Sequence, residues 1–543
     1  MIEKDSMVID NGRKKTVSII LIKIMYVILL VFPFSISTIY GLVAFFGDWE
    51  WLFKGHNKVF YFMPEFGHKV LALVMLAVIS VAIGLIIRFF DLCYKYFSDK
   101  GKAIESKLAT VIAIFLLTII ARMFLFFIFK NETQPFSDFQ SAWDRANGNM
   151  ETLLYYSFFP GYINYSLIEK IISCLTGANY EAILCFCILC NGITSLFIFL
   201  ITDSIFNKYE LSFLASVLYA INPSSIVYAL SSTPEHMAIT CFTGSIYFIC
   251  KFYDAKKASC KIRFLIIAGI MGGIGNSVKT FFPIILVAIM IVFILGELRR
   301  NNGKRIKKIS FLCLSIMVLF LTQIMVTNII TAVSQKVFDV ELNFSDATPH
   351  YLNVGLNRKG EGQIHVGDLS RLYIQDRIDG VPLEEATANA IDRVVSDWKG
   401  NITEVPAFFV KKTIWGWQDD CTPFRYFLTQ MGIKPDTFIE KVTYKGIASL
   451  GVTYAQLWYI LSMVLGIVGT VFTLRKKNVD MENMKFALSN LVILGYFCLT
   501  VLSEAQSRYK CLIVPFVCIM NAFALMKIYG IFRDSGSSSG LER

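Results

Sequence analysis

Charge is scarce in this chain of 543 residues. Asp, Glu, Lys and Arg make up only 17% of it, against 55% hydrophobic and 14% aromatic residues, and the mean hydropathy is +0.57. Water-soluble domains carry about a quarter charged residues, so a soluble globule is excluded. Histidine is rarer still: five scattered residues are too few for a histidine-built metal centre. The thirteen cysteines lie almost all in or beside apolar runs, with Cys421 the clear exception, and imply no disulfide framework. There is no Walker loop, no HExxH and no paired CxxC, and the glycines at 269, 272, 273 and 275 sit inside an apolar run rather than after a strand. Nothing resembles a nucleotide-sugar site.

Long apolar runs are plentiful instead. About twelve approach the roughly 20 residues needed to cross a hydrocarbon layer about 30 Å thick: 17–46, 70–90, 108–129, 182–206, 211–230, 237–252, 264–274, 281–295, 309–330, 450–474, 486–502 and 511–531. The seventh is short and broken by glycines. The first is too long, and lacks the small-residue exit, for a cleavable signal peptide, so it reads as a span. The expected fold is an all-α polytopic membrane protein.

Basic residues cluster in alternate loops: Arg13, Lys14 and Lys15; Lys95, Lys100, Lys102 and Lys107; Lys256, Lys257, Lys261 and Arg263; Arg299 to Lys308; and Arg475, Lys476 and Lys477. Short cytoplasmic loops retain positive charge, so twelve spans with both termini inside put all five clusters in the cytoplasm. The net charge of +11 is then topological and calls for no nucleic acid; an anionic-lipid patch is the other reading. The loops 47–68, 130–180, 231–236, 276–280, 332–448 and 503–508 face outward. This divides the chain into a tail with two accessory spans (1–107), a core (108–331) holding the outer loop 130–180, an outer lid (332–448), the last three spans (449–534) and a Ser/Gly-rich appended linker (535–543).

Within the lid, Leu383, Ala386, Ala390, Ile391 and Val394 follow helical spacing over 383–395, with Glu384 and Glu385 in the first turn, where carboxylates suit the helix dipole. The passage 406–420 is aromatic and cationic, suited to the headgroup layer. The lid is expected to be mostly helical and to lie on the membrane.

The candidate chemistry lies in the outer loops. Asp138 and Asp144 follow the third run, beside Trp143, Tyr155, Tyr156, Phe158, Phe159, Pro160 and Tyr162. Loop carboxylates ordinarily just meet water, but an aromatic groove dry enough to raise a carboxyl pKa makes a general base. The turn before the last run carries Glu504, Gln506, Arg508 and Tyr509. Glu504 and Arg508 share a face if the helix continues, and Arg508 serves either as a phosphate-binding fork or in a structural ion pair. Lys279 stands where the charge rule disfavours a lysine, either to meet phosphate or to snorkel to headgroups. Glu235 and His236 fit a second acid and proton carrier, or a helix cap.

Taken in order, these residues resemble the GT-C glycosyltransferases. The acidic Ser137-Asp138-Phe139 motif, the aromatic, proline-containing stretch behind it, Lys279 near the outer end of a mid-chain span and the Glu504-x-Gln506-x-Arg508-Tyr509 turn carry the likeness. It is nearest to the bacterial branch related to protein O-mannosyltransferases and the lipid A aminoarabinose transferase. The passage Tyr351 to Gly362, with Lys411, Lys412 and Trp415 to Asp419, is similar to the outer segment of such enzymes in Gram-positive bacteria. The chain departs from the pattern in its two extra spans, in a lysine at 279 where relatives often have arginine, and in Glu235-His236. The resemblance implies a GT-C fold at the plasma membrane, working on the extracytoplasmic face. It implies a polyprenyl-phosphate sugar donor such as an undecaprenyl one, and an acceptor such as a cell-wall polysaccharide, teichoic acid or lipid-linked glycan. Asp138 would be the base, with Asp144 beside it, and Arg508 and Lys279 would hold the donor phosphate. Glu504, Gln506, Tyr509, Glu235 and His236 would support them. No cofactor is implied and a divalent metal stays open. A lipid-linked oligosaccharide polymerase or ligase shares the chemistry. A flippase would show internal repeats and charges near the midplane, and neither is present.

Overall fold

The computed structural model describes residues 31–46, 66–99, 103–299, 305–342, 344–363, 369–475 and 481–538, and no strand occurs among them. The basic cluster 13–15, most of the outer loop 47–68, and parts of the later basic loops and of the terminal linker lie outside the described residues. Three helices lead in: α1 (Val31–Phe46), α2 (Phe66–Asp99) and α3 (Ala103–Phe129). The outer loop that follows folds into α4 (Ser137–Ala146), α5 (Leu153–Ser157) and α6 (Pro160–Thr176). The core continues through α7 (Tyr180–Phe206), α8 (Tyr209–Ala220), α9 (Pro223–Tyr228), α10 (Pro234–Asp254), α11 (Ala258–Val278), α12 (Phe282–Arg299) and α13 (Arg305–Phe338). The lid holds α14 (Phe344–Gly355), α15 (Leu369–Ile378), α16 (Leu383–Lys399), α17 (Val405–Trp417), α18 (Thr422–Thr429) and α19 (Phe438–Gly446). The chain ends on α20 (Val452–Arg475), α21 (Met481–Leu502), a 3-10 turn (Ser507–Leu512) and α22 (Val514–Ser538), so the last helix reaches into the segment read as a linker.

Six of the described helices are long and apolar enough to cross a membrane: Lys107–Phe129, Tyr180–Phe206, Ala258–Val278, Ser310–Phe338, Phe438–Leu474 and Met484–Leu502. Shorter apolar helices cover Val31–Val43, Gly67–Ala82, Phe282–Leu295 and Val514–Gly530. Two expectations change. The run 211–230 is not one span: it breaks at Asn222-Pro223, where the Asn222 side chain accepts from Ser225 N at 2.8 Å and Pro223 opens α9. The glycine-broken seventh run, by contrast, is an unbroken 21-residue helix, α11. A Cβ on Gly269 would lie 2.8 Å from Thr322 Cβ, and one on Gly273 would lie 2.8 Å from the Gln323 carbonyl, so these glycines let α11 lie flush on α13.

The main core gathers α7, α8, α10, α11, α12, α20, α21 and α22, with Phe206, Phe486 and Phe523 in mutual ring contact. A second core joins the outer loop to the lid: Tyr156, Phe159 and Ile163 pack with Phe338, Tyr373, Ala386 and Ala390. The α16 stripe is narrower than its spacing suggested, because Ala386 and Ala390 are buried while Ile391 is 56% exposed. A third core sets Phe129, Phe136 and Phe139 against Phe424 and Phe427 of α18. The outer loop is therefore held from both sides by the lid, and its polar residues are gripped between the two.

Candidate active site

Ser137 opens α4 in the left-handed region (φ +50°), which sets Asp138 in the helix's first turn. There its carboxylate receives two phenol hydroxyls, Tyr156 at 2.8 Å on Oδ1 and Tyr162 at 3.1 Å on Oδ2. Burial and the neighbouring carboxylate push both tyrosine pKa values up, so both remain donors. Asp138 Oδ2 also lies 4.0 Å from Arg508 Nη2 and stays 35% exposed.

Arg508 sits on the 3-10 turn, buried against rings. Its Nη1 donates to Tyr426 OH at 3.0 Å and its Nη2 to Tyr509 OH at 3.1 Å, while its guanidinium lies 4.9 Å from the Tyr509 ring centre. Among the described residues its buried Nε has no partner. Tyr509 in turn donates to Glu504 Oε2 at 3.1 Å, and the Gln506 amide donates to Glu504 Oε1. The expectation of a continuing helix fails here: α21 ends at Leu502 and Ala505 N instead donates to the lid carbonyl of Gly362 at 2.8 Å. Glu504 and Arg508 are thus joined through the Tyr509 hydroxyl rather than along a helix face. Gly355 makes this possible, since a Cβ there would lie 2.4 Å from the Leu502 carbonyl oxygen.

Lys279 caps the C-terminal end of α11. Its Nζ lies 2.9 Å from Glu235 Oε1, in the first turn of α10, and 4.0 Å from the Tyr509 ring centre. Asp138, Arg508, Tyr509, Glu504, Gln506, Lys279 and Glu235 therefore form one cluster. Two expected members lie outside it. Asp144 is six residues beyond Asp138, on another face of α4, and its carboxylate accepts from Gln140 Nε2 at 3.0 Å. His236 turns into the core, where Nε2 donates to the Tyr228 carbonyl at 3.1 Å and Nδ1 accepts from Asn191 Nδ2 at 3.0 Å. Its ring therefore faces away from Glu235 and the cluster.

Sequence reasoning missed Tyr426 as a partner of Arg508 and credited Tyr156 and Tyr162 only with apolar surface. Nothing in the spacing signals Tyr426, which reaches the site from α18 by tertiary packing alone. Beside the cluster opens a cavity of about 320 Å³. Lys279, Glu504 and Tyr509 border its polar end, and Phe281, Ile284, Leu352 and Leu499 give it apolar walls. Among the described residues no group of three or more His, Cys, Asp and Glu side chains is placed to hold a metal ion.

Residues 163–325, from α6 into α13, match the model of the family described as dolichyl-phosphate-mannose-protein mannosyltransferase. The matched stretch includes Glu235 and Lys279 but neither Asp138 nor Arg508. Among solved structures the chain is similar to the oligosaccharyltransferase of Archaeoglobus fulgidus, in complex with zinc and sulfate, at 13% identity and a TM-score of 0.40. That likeness covers 78% of this chain and 49% of the other, so this chain spans about half that enzyme's length. No curated protein sequence matches the chain. The family match covers less than a third of the chain, and the apolar helices described above have the length and composition of a multi-pass membrane protein.

Proposed function

We propose that the chain transfers a sugar from a polyprenyl-phosphate carrier to an acceptor hydroxyl, with inversion, on the extracytoplasmic face of the plasma membrane. One observation carries this reading: the Asp138 carboxylate, pinned by two phenols, lies 4.0 Å from Arg508, and their partners Tyr162 and Tyr509 line an apolar cavity together with Lys279. A general base must hold one orientation, and two hydrogen bonds from Tyr156 and Tyr162 supply it. The remaining exposure of Asp138 leaves room for an acceptor hydroxyl. As that oxygen attacks the anomeric carbon, Asp138 takes its proton and charge builds on the departing phosphate.

Arg508 and Lys279 are the cations near that charge. Glu235 orients Lys279 through one ammonium proton and leaves two for phosphate oxygens, while Arg508 keeps an unspent Nε–H. Donors fixed in advance around a developing anion commonly supply the largest catalytic term. The cavity walls suit an isoprenoid tail, which is soluble only in an apolar setting, and the lid above excludes water that would hydrolyse the donor. The basic loops of the opposite face support the outward orientation. Cell-wall polysaccharide, teichoic acid or a lipid-linked glycan fits as acceptor.

The test is transfer by the purified full-length protein in liposomes loaded with undecaprenyl-phosphate sugars. Transfer by the wild-type protein and its loss in Asp138→Asn, with the fold kept, are expected. Absence of transfer from every such donor, or normal turnover by Asp138→Asn, rejects the reading.

A further inference from the structure

The site holds three carboxyl groups and two cations. Glu235 has Lys279 at 2.9 Å and Asp138 has Arg508 at 4.0 Å. Glu504 is the one left over: among the described residues no cation lies within 4.0 Å of its oxygens. Its side chain is buried, at 2% exposure, and both of its partners are neutral, the Tyr509 hydroxyl and the Gln506 amide. It nevertheless borders the polar end of the cavity with Lys279 and Tyr509. A buried carboxylate without a counter-ion costs several kcal/mol, roughly, and normally takes up a proton instead. A charged carboxylate on this wall would also repel the phosphate that the two cations attract.

We propose that Glu504 is a second catalytic carboxyl group, a neutral acid that protonates the phosphate as it leaves; this rests on the transfer reaction proposed above. The bond between the anomeric carbon and the phosphate oxygen breaks, and that oxygen takes the Glu504 proton. The acceptor oxygen bonds to the anomeric carbon and gives its proton to Asp138. The products are the glycosylated acceptor and polyprenyl hydrogen phosphate. Glu504 is left ionised and Asp138 protonated, and exchange with water restores both.

The surroundings support this division of labour. Burial raises the Glu504 pKa, while Arg508, the Tyr509 hydroxyl, Lys279 and the Gln506 amide oppose the rise. Among the described residues, Lys412 of the lid and the phenols of Tyr155 and Tyr351 also face it. Tyr509 accepts from Arg508 and donates to Glu504, so it links the acid to the cation nearest the base. Transfer then requires Glu504 protonated, which gives the pH profile an alkaline limb.

The experiment is the pH profile of kcat and KM for an undecaprenyl-phosphate sugar, using full-length protein in nanodiscs. Wild type should lose turnover on an alkaline limb. Glu504→Gln keeps a neutral amide but has no acidic proton. It should lower kcat by about 10²-fold, abolish that limb and leave the donor KM nearly unchanged. Tyr509→Phe removes a hydrogen bond that favours the carboxylate, so its alkaline limb should move to higher pH. An unchanged limb and rate in Glu504→Gln overturns the proposal; should that variant not fold, an unmoved limb in Tyr509→Phe does the same. Wild-type protein that transfers no sugar overturns this proposal and the proposed function together. Transfer that depends on Asp138 but is indifferent to Glu504 overturns this proposal alone.

Discussion

Four nearly buried cations border the junction of the lid with the spans, and they fall into two pairs that behave differently. Lys412 Nζ donates to the carbonyls of Gly355 at 2.5 Å and Val501 at 2.8 Å, and Lys510 Nζ donates to those of Gly416 at 2.6 Å and Asp419 at 2.5 Å. Lys279 and Arg508 meet side-chain oxygens and aromatic faces instead, beside the cavity. Backbone carbonyls are fixed by the helices that own them, so the first pair acts as a clasp: Lys412 reaches from α17 to the ends of α14 and α21, and Lys510 holds the C-terminal end of α17. Side-chain oxygens can give way to a ligand, and the proposed function has the second pair exchange a carboxylate or phenol for the donor phosphate. Charge type is the same in both; the rigidity of the partner is what differs.

Substitutions test that difference, beginning with Asp138, the proposed base. Asp138→Asn should reduce transfer by about 10²–10⁴-fold while leaving the thermal unfolding midpoint near that of the wild type. Arg508→Ala should reduce turnover by about 10²–10³-fold and weaken the binding of undecaprenyl phosphate; unchanged affinity in a direct binding assay removes Arg508 from the phosphate site. Lys412→Met should act on stability instead. It leaves two buried carbonyls unsatisfied, at a cost of about 1–3 kcal/mol each, and should expose 405–417 to proteolysis with a smaller effect on donor affinity.

The clasp also predicts a pH effect of its own. Burial lowers the Lys412 pKa to about 7, well below the ordinary lysine value. Between those two values the undocked lid binds more protons than the docked one, so docking tightens as pH rises through that window and loosens as it falls. Amide exchange over 405–417, corrected for intrinsic rates, should slow between pH 7 and pH 9, and Lys412→Met should abolish the trend. The smallest effect concerns Asp144→Asn, which should change transfer by less than about twofold, since its carboxylate meets Gln140 and surface changes of this kind are worth about 0.5 kcal/mol. A large loss there would overturn Asp138 as the proposed base.

Much of the candidate site could be read from residue types, but its connections could not. Asp138, Lys279 and Arg508 stood out because charge beside apolar runs demands a reason, and the structure brings these three together. Glu504 was placed beside Arg508 by an assumed helix that ends at Leu502, and the true link is a phenol on Tyr509. His236 and Glu235 are neighbours in sequence, yet successive helical residues point about 100° apart and the two meet different surroundings. The run 211–230 misled for a related reason: hydropathy counts apolar residues and is blind to the break at Asn222-Pro223.

By itself the sequence determined the solvent this chain needs, its helical character and the loops in which chemistry could occur. These are sums of local preferences: apolar length against bilayer thickness, and charge against the cost of burying it. Only the tertiary structure decided which of the acids and cations share a site. Asp138 of the loop 130–180, Tyr426 of the lid, Lys279 between two core helices and Arg508 before the last helix meet because three separate cores pack that loop, the lid and the helix ends together. That packing depends on contacts between segments far apart in the chain, and no local pattern encodes them.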